Sequence, residues 1–298
     1  MKILLLGPSG QVGHELCRAL EPLGEISAFD YPEVDLARPN SLSALVRSIA
    51  PQVIVNAAAY TAVDRAESEP EVAELINARA VGVLAAEAAS IGAWLVHYST
   101  DYVFAGTGCT PWVESDEAVP VNAYGRSKLG GDELIMRSGC RHLILRTSWV
   151  FAARGKNFVR TILRLAAERD ELRVVNDQYG VPTSADFLAD ATAHTLTHAL
   201  RRGDECSGLF HAAPAGEATW QSVACAVVES ALRMGASLTV DPSRVKGIPS
   251  TEYNFSAKRP LNSRLNTSRL QSTFGLHCPD WRFSLDRVVG ELVQLGSC

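Results

Sequence analysis

The sequence has no apolar run long enough to cross a membrane, because a spanning helix needs about 20 consecutive apolar residues. Its amino-terminal run, MKILLLG, is too short for the hydrophobic region of a signal peptide and is followed at once by a glycine-rich segment. This run predicts a buried strand. We therefore expect a cytoplasmic protein that does not bind membranes.

The chain also lacks excess positive charge, since its 298 residues carry a formal net charge of -5. Without a general basic field we expect no nucleic-acid partner. Hydrophobic residues make up 47% and charged residues 20% of the chain, a balance typical of a soluble globular enzyme.

Cysteine is sparse and unpatterned. The seven cysteines are odd in number and none forms a C-x-x-C pair, so we expect reduced thiols that fill space in the interior. The seven histidines lack the H-x-x-x-H and H-x-x-E-H spacings of zinc sites, and we predict no structural zinc.

Short apolar runs alternate with helical stretches along the first two thirds of the chain. The runs are continuously apolar, which is typical of parallel strands covered on both faces. Repeated strand–helix–strand units with short loops predict an α/β fold with a doubly wound parallel sheet of the Rossmann type. The predicted strands are 2–6, 25–29, 53–55, 94–98, 142–146, 173–175 and 208–211; the predicted helices are 11–20, 41–50, 71–91, 124–138, 157–169 and 185–200.

From about residue 213 the pattern loosens, with one good helix at 220–234, then loops with proline and arginine, and a last helix near 283–295. This change predicts a smaller, mixed C-terminal lobe that binds substrate. We expect a dinucleotide-binding domain of residues 1–150 plus about 165–212. The lobe would comprise about 213–298, with 151–164 contributing.

A glycine-rich loop follows the first strand directly and opens the first helix. Glycines in this context let the backbone approach a pyrophosphate, whose charge then lies at the helix N-terminus. The loop therefore predicts dinucleotide binding by Gly7, Ser9, Gly10, Gln11, Val12 and Gly13.

Further cofactor contacts are expected at the ends of the second and third strands. Asp30 would accept hydrogen bonds from the adenosine ribose and repel a 2′-phosphate, unless it only caps a turn. Asp35 and Leu36 would lie along the adenine. Small residues after the third strand would let the cofactor lie close to the backbone, although simple packing explains them almost equally well; these residues are Ala58 and Ala59, followed by Tyr60.

Tyr124 and Lys128 lie four residues apart on a predicted helix, so both project from one face. Reduction of a ketone leaves an alkoxide that must be protonated, and a nearby ammonium would lower the pKa of the phenol that protonates it. Tyr98 and Thr100 follow the fourth strand, where ligands of such sheets bind. The Thr100 hydroxyl would hydrogen-bond the substrate oxygen.

Together the glycine loop, the hydroxyl after the fourth strand and the Tyr-x-x-x-Lys pair resemble the extended short-chain dehydrogenase/reductase superfamily. Within it the chain closely resembles the dTDP-4-dehydrorhamnose reductase family over nearly its whole length. Five segments carry this resemblance: Asn56–Asp64, Ser99–Phe104, Arg146–Val150, Asn176–Thr183 and Arg259–Leu265.

The resemblance implies reduction of the 4-keto group of dTDP-4-dehydro-6-deoxy-L-mannose to dTDP-L-rhamnose, for cell-surface polysaccharide. Hydride would come from NADPH or NADH; Asp30 favours NADPH less firmly than the family alone does. Tyr124 would donate the proton and Thr100 would polarise the ketone. Lys128 would adjust the pKa of Tyr124 and anchor the nicotinamide ribose. Lining the sugar pocket would be Asp101, Tyr102 and Trp149.

A basic segment near Arg259 and Arg264 suits the diphosphate of a dTDP-sugar, because guanidinium groups bind phosphate in a bidentate way. Asn176 would flank the same site, with Tyr179 available to stack on the base. From composition alone, a solvated basic loop is a fair competitor.

Three carboxylates, Glu15, Asp186 and Glu291, correspond to a Mg²⁺ site linked to dimerisation in related bacterial enzymes. Asp186 stands where the family usually has Glu, and exposed helical acids are the default explanation. The resemblance is also compatible with a homodimer.

Two other functions fit parts of the pattern. One is a different nucleotide-sugar 4-ketoreductase or an epimerase, which would retain bound NAD⁺ through a closed cycle. The other is a non-catalytic regulatory subunit of the same fold, for which the Tyr124–Lys128 pair would be unnecessary.

Overall fold

The computed structural model describes residues 1–296, without the side chain of residue 40. Its first half alternates strands with helices, and most bounds agree with the predicted ones to within two residues. These elements are β1 (Lys2–Leu6), α1 (Gln11–Leu20), β2 (Glu25–Phe29), α2 (Pro39–Ile49), β3 (Val53–Asn56), α3 (Val63–Ala66), α4 (Pro70–Glu74), α5 (Ala80–Ile91), β4 (Trp94–Thr100), α6 (Ala123–Arg137) and β5 (Arg141–Thr147).

The second half has longer helices and several two-residue strands. Its elements are β6 (Val150–Phe151), α7 (Phe158–Glu168), β7 (Leu172–Val175), β8 (Tyr179–Gly180), β9 (Thr183–Ser184), α8 (Ala185–Arg202), β10 (Gly208–His211), β11 (Ala218–Thr219), α9 (Trp220–Arg233), β12 (Val245–Ile248), α10 (Ser268–Phe274) and α11 (Trp281–Gln294). No helix within residues 1–296 is long and apolar enough to cross a bilayer.

Six strands form one parallel sheet in the order β2-β1-β3-β4-β5-β10. The Rossmann-type fold predicted from the sequence is confirmed. The connection after β1 leads to β2 on one side and the connection after β3 leads to β4 on the other, so the loops at the carboxyl ends of β1 and β3 run apart and leave a crevice. In open α/β sheets, ligands bind at such a point.

Both faces of the sheet are covered because successive strand residues point to opposite sides. Ile3 and Leu5 belong to one buried cluster, with residues of α1, α8 and α10. Leu4 and Leu6 belong to another, with residues of α2, α5 and the end of α6. This double burial explains why the strands are apolar at every position.

A separate apolar core holds the smaller lobe together. It joins α7, α9 and α11 with strands β7 and β12, and Trp281 is fully buried in it. We expected residues 165–175 in the dinucleotide-binding domain, but the structure packs them in the smaller lobe. β7 pairs with β12 outside the main sheet, and Leu172 and Val174 pack in the lobe's core.

The predicted helix over 71–91 is interrupted. A π-helical turn at Leu75–Arg79 separates α4 from α5. In that turn the buried Asn77 side chain bonds both backbone groups of Tyr60, at 2.9 and 3.0 Å. The short helices α3 and α10 were missed, because four and seven residues carry too little periodicity.

Truncating a side chain in the sheet core should destabilise the protein markedly. Leu4→Ala removes a fully buried side chain, and we expect a loss of about 2–5 kcal/mol in the free energy of unfolding. Leu295 is 67% exposed, so Leu295→Ala should change it by about 0.5 kcal/mol or less. Urea denaturation measures both, and equal losses would contradict this description of the core.

Candidate active site

A cavity of about 840 Å³ runs along the carboxyl ends of β1, β3, β4 and β5. Parallel strands all end at this edge, so residues far apart in the sequence meet there. Most predicted site residues line it: Gly7, Ser9, Gly10, Gln11, Val12, Asp30, Asp35, Leu36, Ala58, Ala59, Tyr98, Thr100, Asp101, Tyr102, Tyr124, Lys128 and Trp149.

The glycine loop fits a dinucleotide because side chains cannot be added to it. Gly7 has φ +83°, and a Cβ atom there would lie 2.9 Å from the Ala58 nitrogen. A Cβ at Gly13 would lie 1.9 Å from the Gly7 carbonyl oxygen, so Gly13 packs behind the loop. The start of α1 reaches the cavity at Gln11 and Val12, and the free N–H groups of a helix N-terminus favour a pyrophosphate there.

Asp30 braces this loop from the end of β2. Its carboxylate accepts hydrogen bonds from the backbone N–H groups of Ser9 and Tyr31, each at 2.9 Å. Burial alone would raise the pKa of Asp30, but the hydrogen bonds from Ser9 and Tyr31 lower it overall. An ionised acceptor therefore stands beside the glycine loop.

Tyr60 was predicted to contact the cofactor, but it is absent from the cavity lining in the described part of the chain. Its hydroxyl donates to Glu69 Oε2 at 2.6 Å, which turns the ring toward α4. The small residues before it, Ala58 and Ala59, do line the cavity.

Helix α6 carries the reactive pair into the cavity. The Asn122 side chain caps its first turn by accepting from Gly125 N at 2.8 Å. Only glycine fits at position 125, because a Cβ atom there would lie 2.1 Å from the Tyr102 carbonyl oxygen. This close approach brings Tyr124 beside Thr100 and Asp101.

Lys128 is buried beneath Tyr124. Its Nζ donates to the Tyr98 carbonyl at 2.6 Å and lies 3.0 Å from His97 Nε2. Burial lowers the pKa of Lys128 to about 8, an effect that the negative charge of Asp132 opposes. Asp132 is itself buried and accepts from Arg146 Nε at 3.0 Å.

Tyr124 keeps its proton in this environment. Burial raises its pKa above the usual value and the charge of Asp101 raises it further, whereas the nearby Thr100 hydroxyl lowers it. The net direction is opposite to the lowering by Lys128 that we expected. A protonated phenol at the cavity wall is suited to donating a proton.

Asp101 and Tyr102 form the next part of the wall. Burial raises the pKa of Asp101 to about 7; the nearby Ser263 hydroxyl and a hydrogen bond from Thr100 to Oδ1 oppose this rise. Its Oδ2 atom has no hydrogen-bond partner within residues 1–296. Burial also raises the pKa of Tyr102 to about 12. Near pH 7 Tyr102 is therefore protonated, whereas Asp101 exchanges between its protonated and ionised forms, so this wall offers both hydrogen-bond donors and acceptors.

A stacked aromatic pair also lines the cavity. Trp149 stacks on Trp220 with 3.8 Å between ring centroids, and both line the cavity. Trp149 has φ +50°, an uncommon value for a large residue, and its ring packs against the backbone of Gly180. The strained backbone turns this ring toward the ligand space.

The predicted basic residues lie outside the cavity wall as described for residues 1–296. Arg259 pairs with Asp64 at 2.5 Å and also approaches the Tyr102 hydroxyl at 3.5 Å. Arg264 pairs with Glu217 at 2.7 Å and lies over the Tyr179 ring. Asn176 is exposed.

Sequence reasoning missed residues contributed by the loop before α7. Asn157 caps α7 and its Nδ2 donates to Gln11 Oε1 at 2.8 Å, which ties this loop to the glycine loop. Lys156 and Gly155 line the cavity as a result. No local motif marks them. Also missed were Thr147, Ser148 and Trp220.

The three predicted metal ligands do not form a site within one copy of the chain. Among residues 1–296, no group of three or more His, Cys, Asp or Glu side chains could hold a metal ion. Asp186 instead pairs with Arg287 at 2.6 Å, and Glu15 with Arg18 at 3.5 Å.

A parallel sheet with a glycine loop at its switch point and a Tyr-x-x-x-Lys helix beside it defines a nicotinamide-dependent short-chain reductase. The family model described as RmlD substrate binding domain matches residues 1–294. The dTDP-4-dehydrorhamnose reductase of Escherichia coli (strain K12) is 49% identical over 296 residues, which are 98% of each chain. The chain belongs to the dTDP-4-dehydrorhamnose reductase family.

Solved structures agree. A dTDP-4-dehydrorhamnose reductase from Clostridium acetobutylicum ATCC 824 superimposes with a TM-score of 0.89 at 34% identity, covering 99% of this chain and 100% of that one. The enzyme from Bacillus anthracis str. Ames, in complex with NADP, has a TM-score of 0.87 at 32% identity, covering 97% and 99%.

Asp30 should influence the choice of cofactor. Asp30→Ala removes an acceptor for the ribose hydroxyls and a charge that repels a 2′-phosphate. We expect the ratio of NADH to NADPH affinity to fall about tenfold, since a hydrogen bond to a charged group contributes about 1.5 kcal/mol. Fluorescence titration measures both dissociation constants. Exposed Glu33 provides the control Glu33→Ala, and an unchanged ratio in Asp30→Ala would contradict the assignment.

Proposed function

We propose that this protein reduces the 4-keto group of dTDP-4-dehydro-6-deoxy-L-mannose to give dTDP-L-rhamnose, using NADPH or NADH. The observation that carries the proposal is that Thr100, Tyr124 and Lys128 meet in the same cavity as the glycine loop. The family's relatives, named for this activity, support the substrate class.

The mechanism follows from the order of groups along the cavity. A bound reduced nicotinamide would supply the hydride. Thr100 and Tyr124 line the same cavity, and their hydroxyls would both hydrogen-bond the ketone oxygen, which polarises the carbonyl. Tyr124 then donates its phenolic proton to that oxygen as negative charge develops. Lys128, buried below it, would hold the nicotinamide ribose and stabilise the phenolate left behind.

The sugar would lie between the two remaining walls. Asp101 and Tyr102 offer hydrogen bonds to ring hydroxyls, while the stacked rings of Trp149 and Trp220 cover an apolar sugar face. We propose that Arg259, which contacts Tyr102, binds the diphosphate at the cavity rim. Arg264 and Asn176 would lie further toward the nucleoside.

The cell compartment and assembly are also proposals. The described cysteines are free thiols, which agrees with action in the reducing cytoplasm. The product would feed cell-surface polysaccharide synthesis. We further propose a homodimer; a Mg²⁺ ion bound by Glu15, Asp186 and Glu291 would require carboxylates from two copies, because one copy does not bring them together.

Removing the phenol should abolish reduction without weakening cofactor binding. We expect Tyr124→Phe to lower kcat with the dTDP-keto-sugar by about 10²–10⁴-fold, the usual contribution of a positioned acid, with the NADPH dissociation constant nearly unchanged. Tyr253, 51% exposed, provides the control Tyr253→Phe. Turnover at the wild-type rate in Tyr124→Phe would refute the proposed mechanism.

Arg259 should act on substrate binding. Arg259→Ala should raise KM for the dTDP-sugar about tenfold or more, because a charge-assisted bond contributes about 1.5–3 kcal/mol, with a smaller change in kcat. Arg244 also pairs with an aspartate but is 54% exposed, so Arg244→Ala is the matched control. Steady-state kinetics test this, and an unchanged KM would return Arg259 to a structural role.

A further inference from the structure

A chain of buried polar groups leads from the end of β3 to the catalytic lysine. The Ala58 N–H donates to Asn56 Oδ1 at 3.3 Å, and Asn56 Nδ2 lies 3.2 Å from His97 Nδ1. On the far side of the ring, His97 Nε2 lies 3.0 Å from Lys128 Nζ. Asn56, His97 and Lys128 are each at most 2% exposed.

The pairing of the strands creates this chain. β3 and β4 are parallel neighbours, and their register places Asn56 directly opposite His97. Asn56 is the last residue of β3, whose other residues are apolar, and His97 follows three apolar residues in the middle of β4. Two polar side chains in such a place must satisfy each other, since an unpaired buried polar group costs about 1–3 kcal/mol.

The direction of the hydrogen bonds between these buried polar groups is fixed by the backbone N–H of Ala58. A backbone N–H only donates, so Asn56 presents its oxygen to Ala58 and its NH₂ group to His97. Turning the amide round would set two donors against each other. His97 Nδ1 therefore accepts, its hydrogen is on Nε2, and Nε2–H points at Lys128 Nζ. Only a neutral amine has a lone pair to accept it.

We propose that Asn56 and His97 are positioning residues for Lys128, which hold its Nζ atom in place and favour the neutral amine through the direction of their hydrogen bonds. This inference rests on the proposed function, because it concerns how the lysine of that reaction is tuned. An ammonium at Lys128 requires the other tautomer of His97, with its hydrogen on Nδ1. The Asn56 amide must then turn so that its oxygen accepts from Nδ1–H.

Other groups around Lys128 agree with a finely balanced proton. Burial lowers its pKa to about 8, and Asp132, one turn along α6 and paired with Arg146 of β5, opposes this. His97 stays neutral, because burial and then Lys128 hold its pKa well below the usual range. Tyr124 and Asp101 face the same cavity. Amine and ammonium thus lie close in free energy, so Lys128 can pass a proton to the Tyr124 phenolate and regain one from solvent.

The tautomer of His97 tests the proposal without any substrate. In protein labelled with ¹⁵N-histidine, the His97 signals, assigned by their loss in His97→Gln, should show hydrogen on Nε2 above pH about 8. Asn56→Asp replaces the donor with an acceptor, so the hydrogen should move to Nδ1. Hydrogen on Nδ1 in the wild type, or no change in Asn56→Asp, would overturn the proposal.

The pH profile separates tuning from a merely structural role. The alkaline fall in kcat/KM should begin near the lysine pKa of about 8 and move upward by about one unit in Asn56→Asp, about a tenfold change in the proton equilibrium. A uniform loss of activity with an unmoved profile would refute the tuning. His142→Gln, on neighbouring β5, is the control and should leave the profile unchanged.

The two proposals fail separately. If no variant and not even the wild type oxidises NADPH with the dTDP-keto-sugar, the proposed reaction is wrong, yet the ¹⁵N measurement still decides the hydrogen-bond direction. Should Asn56→Asp fail to fold, His97→Gln supplies the pH comparison. Glutamine lacks the imidazole tautomer that directs a hydrogen bond at Nζ, so the pH profile of His97→Gln should also move. An unmoved profile would contradict the proposal.

Discussion

The burial of one amino group, that of Lys128, constrains the rest of the site. A charged group removed from water costs several kcal/mol unless it is paired. The Tyr98 carbonyl accepts from Nζ and the carboxylate of Asp132 favours the ammonium, whereas the neutral His97 ring favours the amine. Asp132 in turn needs Arg146 and Ser99, which it binds at 3.0 and 2.9 Å. Strands β4 and β5 and helix α6 are locked together by this network.

The second constraint is close backbone approach at the crevice between β1 and β3. Gly7 lies against Ala58, Gly13 lies against Gly7, and Gly125 lies against Tyr102. Each contact excludes a Cβ atom, so the glycines set the shape of the cavity wall. The smaller lobe then reaches over this wall through Asn157 and Gln11, which brings Lys156 to the cavity.

Much of this could be predicted because it is local. Strand and helix positions follow from periodicity, and the Tyr124–Lys128 pair from a four-residue spacing. The pairing of β7 with β12 could not be predicted, because a short apolar strand fits either sheet until its partner is known. Trp220 and Lys156 join the site through lobe packing, which no motif records. The raised pKa of Tyr124 was also hidden, since burial outweighs the charge that the sequence brings near it.

Arg259 and Arg264 show the same limit in another way. The sequence marks them as a basic cluster, whereas the structure pairs each with a carboxylate, Asp64 and Glu217. Charge counted along a chain does not reveal which charges neutralise one another in space. The identity of the sugar is inferred from the family resemblance, whereas the type of reaction is inferred from the geometry of the site.

The central claim is that the cavity reduces a ketone on a dTDP-linked deoxysugar with a cofactor that exchanges at each turnover. The most direct measurement follows NAD(P)H oxidation by purified protein with dTDP-4-dehydro-6-deoxy-L-mannose and with its UDP counterpart, and identifies the product. The account predicts many turnovers with the dTDP-sugar, one NAD(P)H consumed for each dTDP-L-rhamnose formed. Protein that retains stoichiometric NAD⁺ and consumes no NAD(P)H would contradict it.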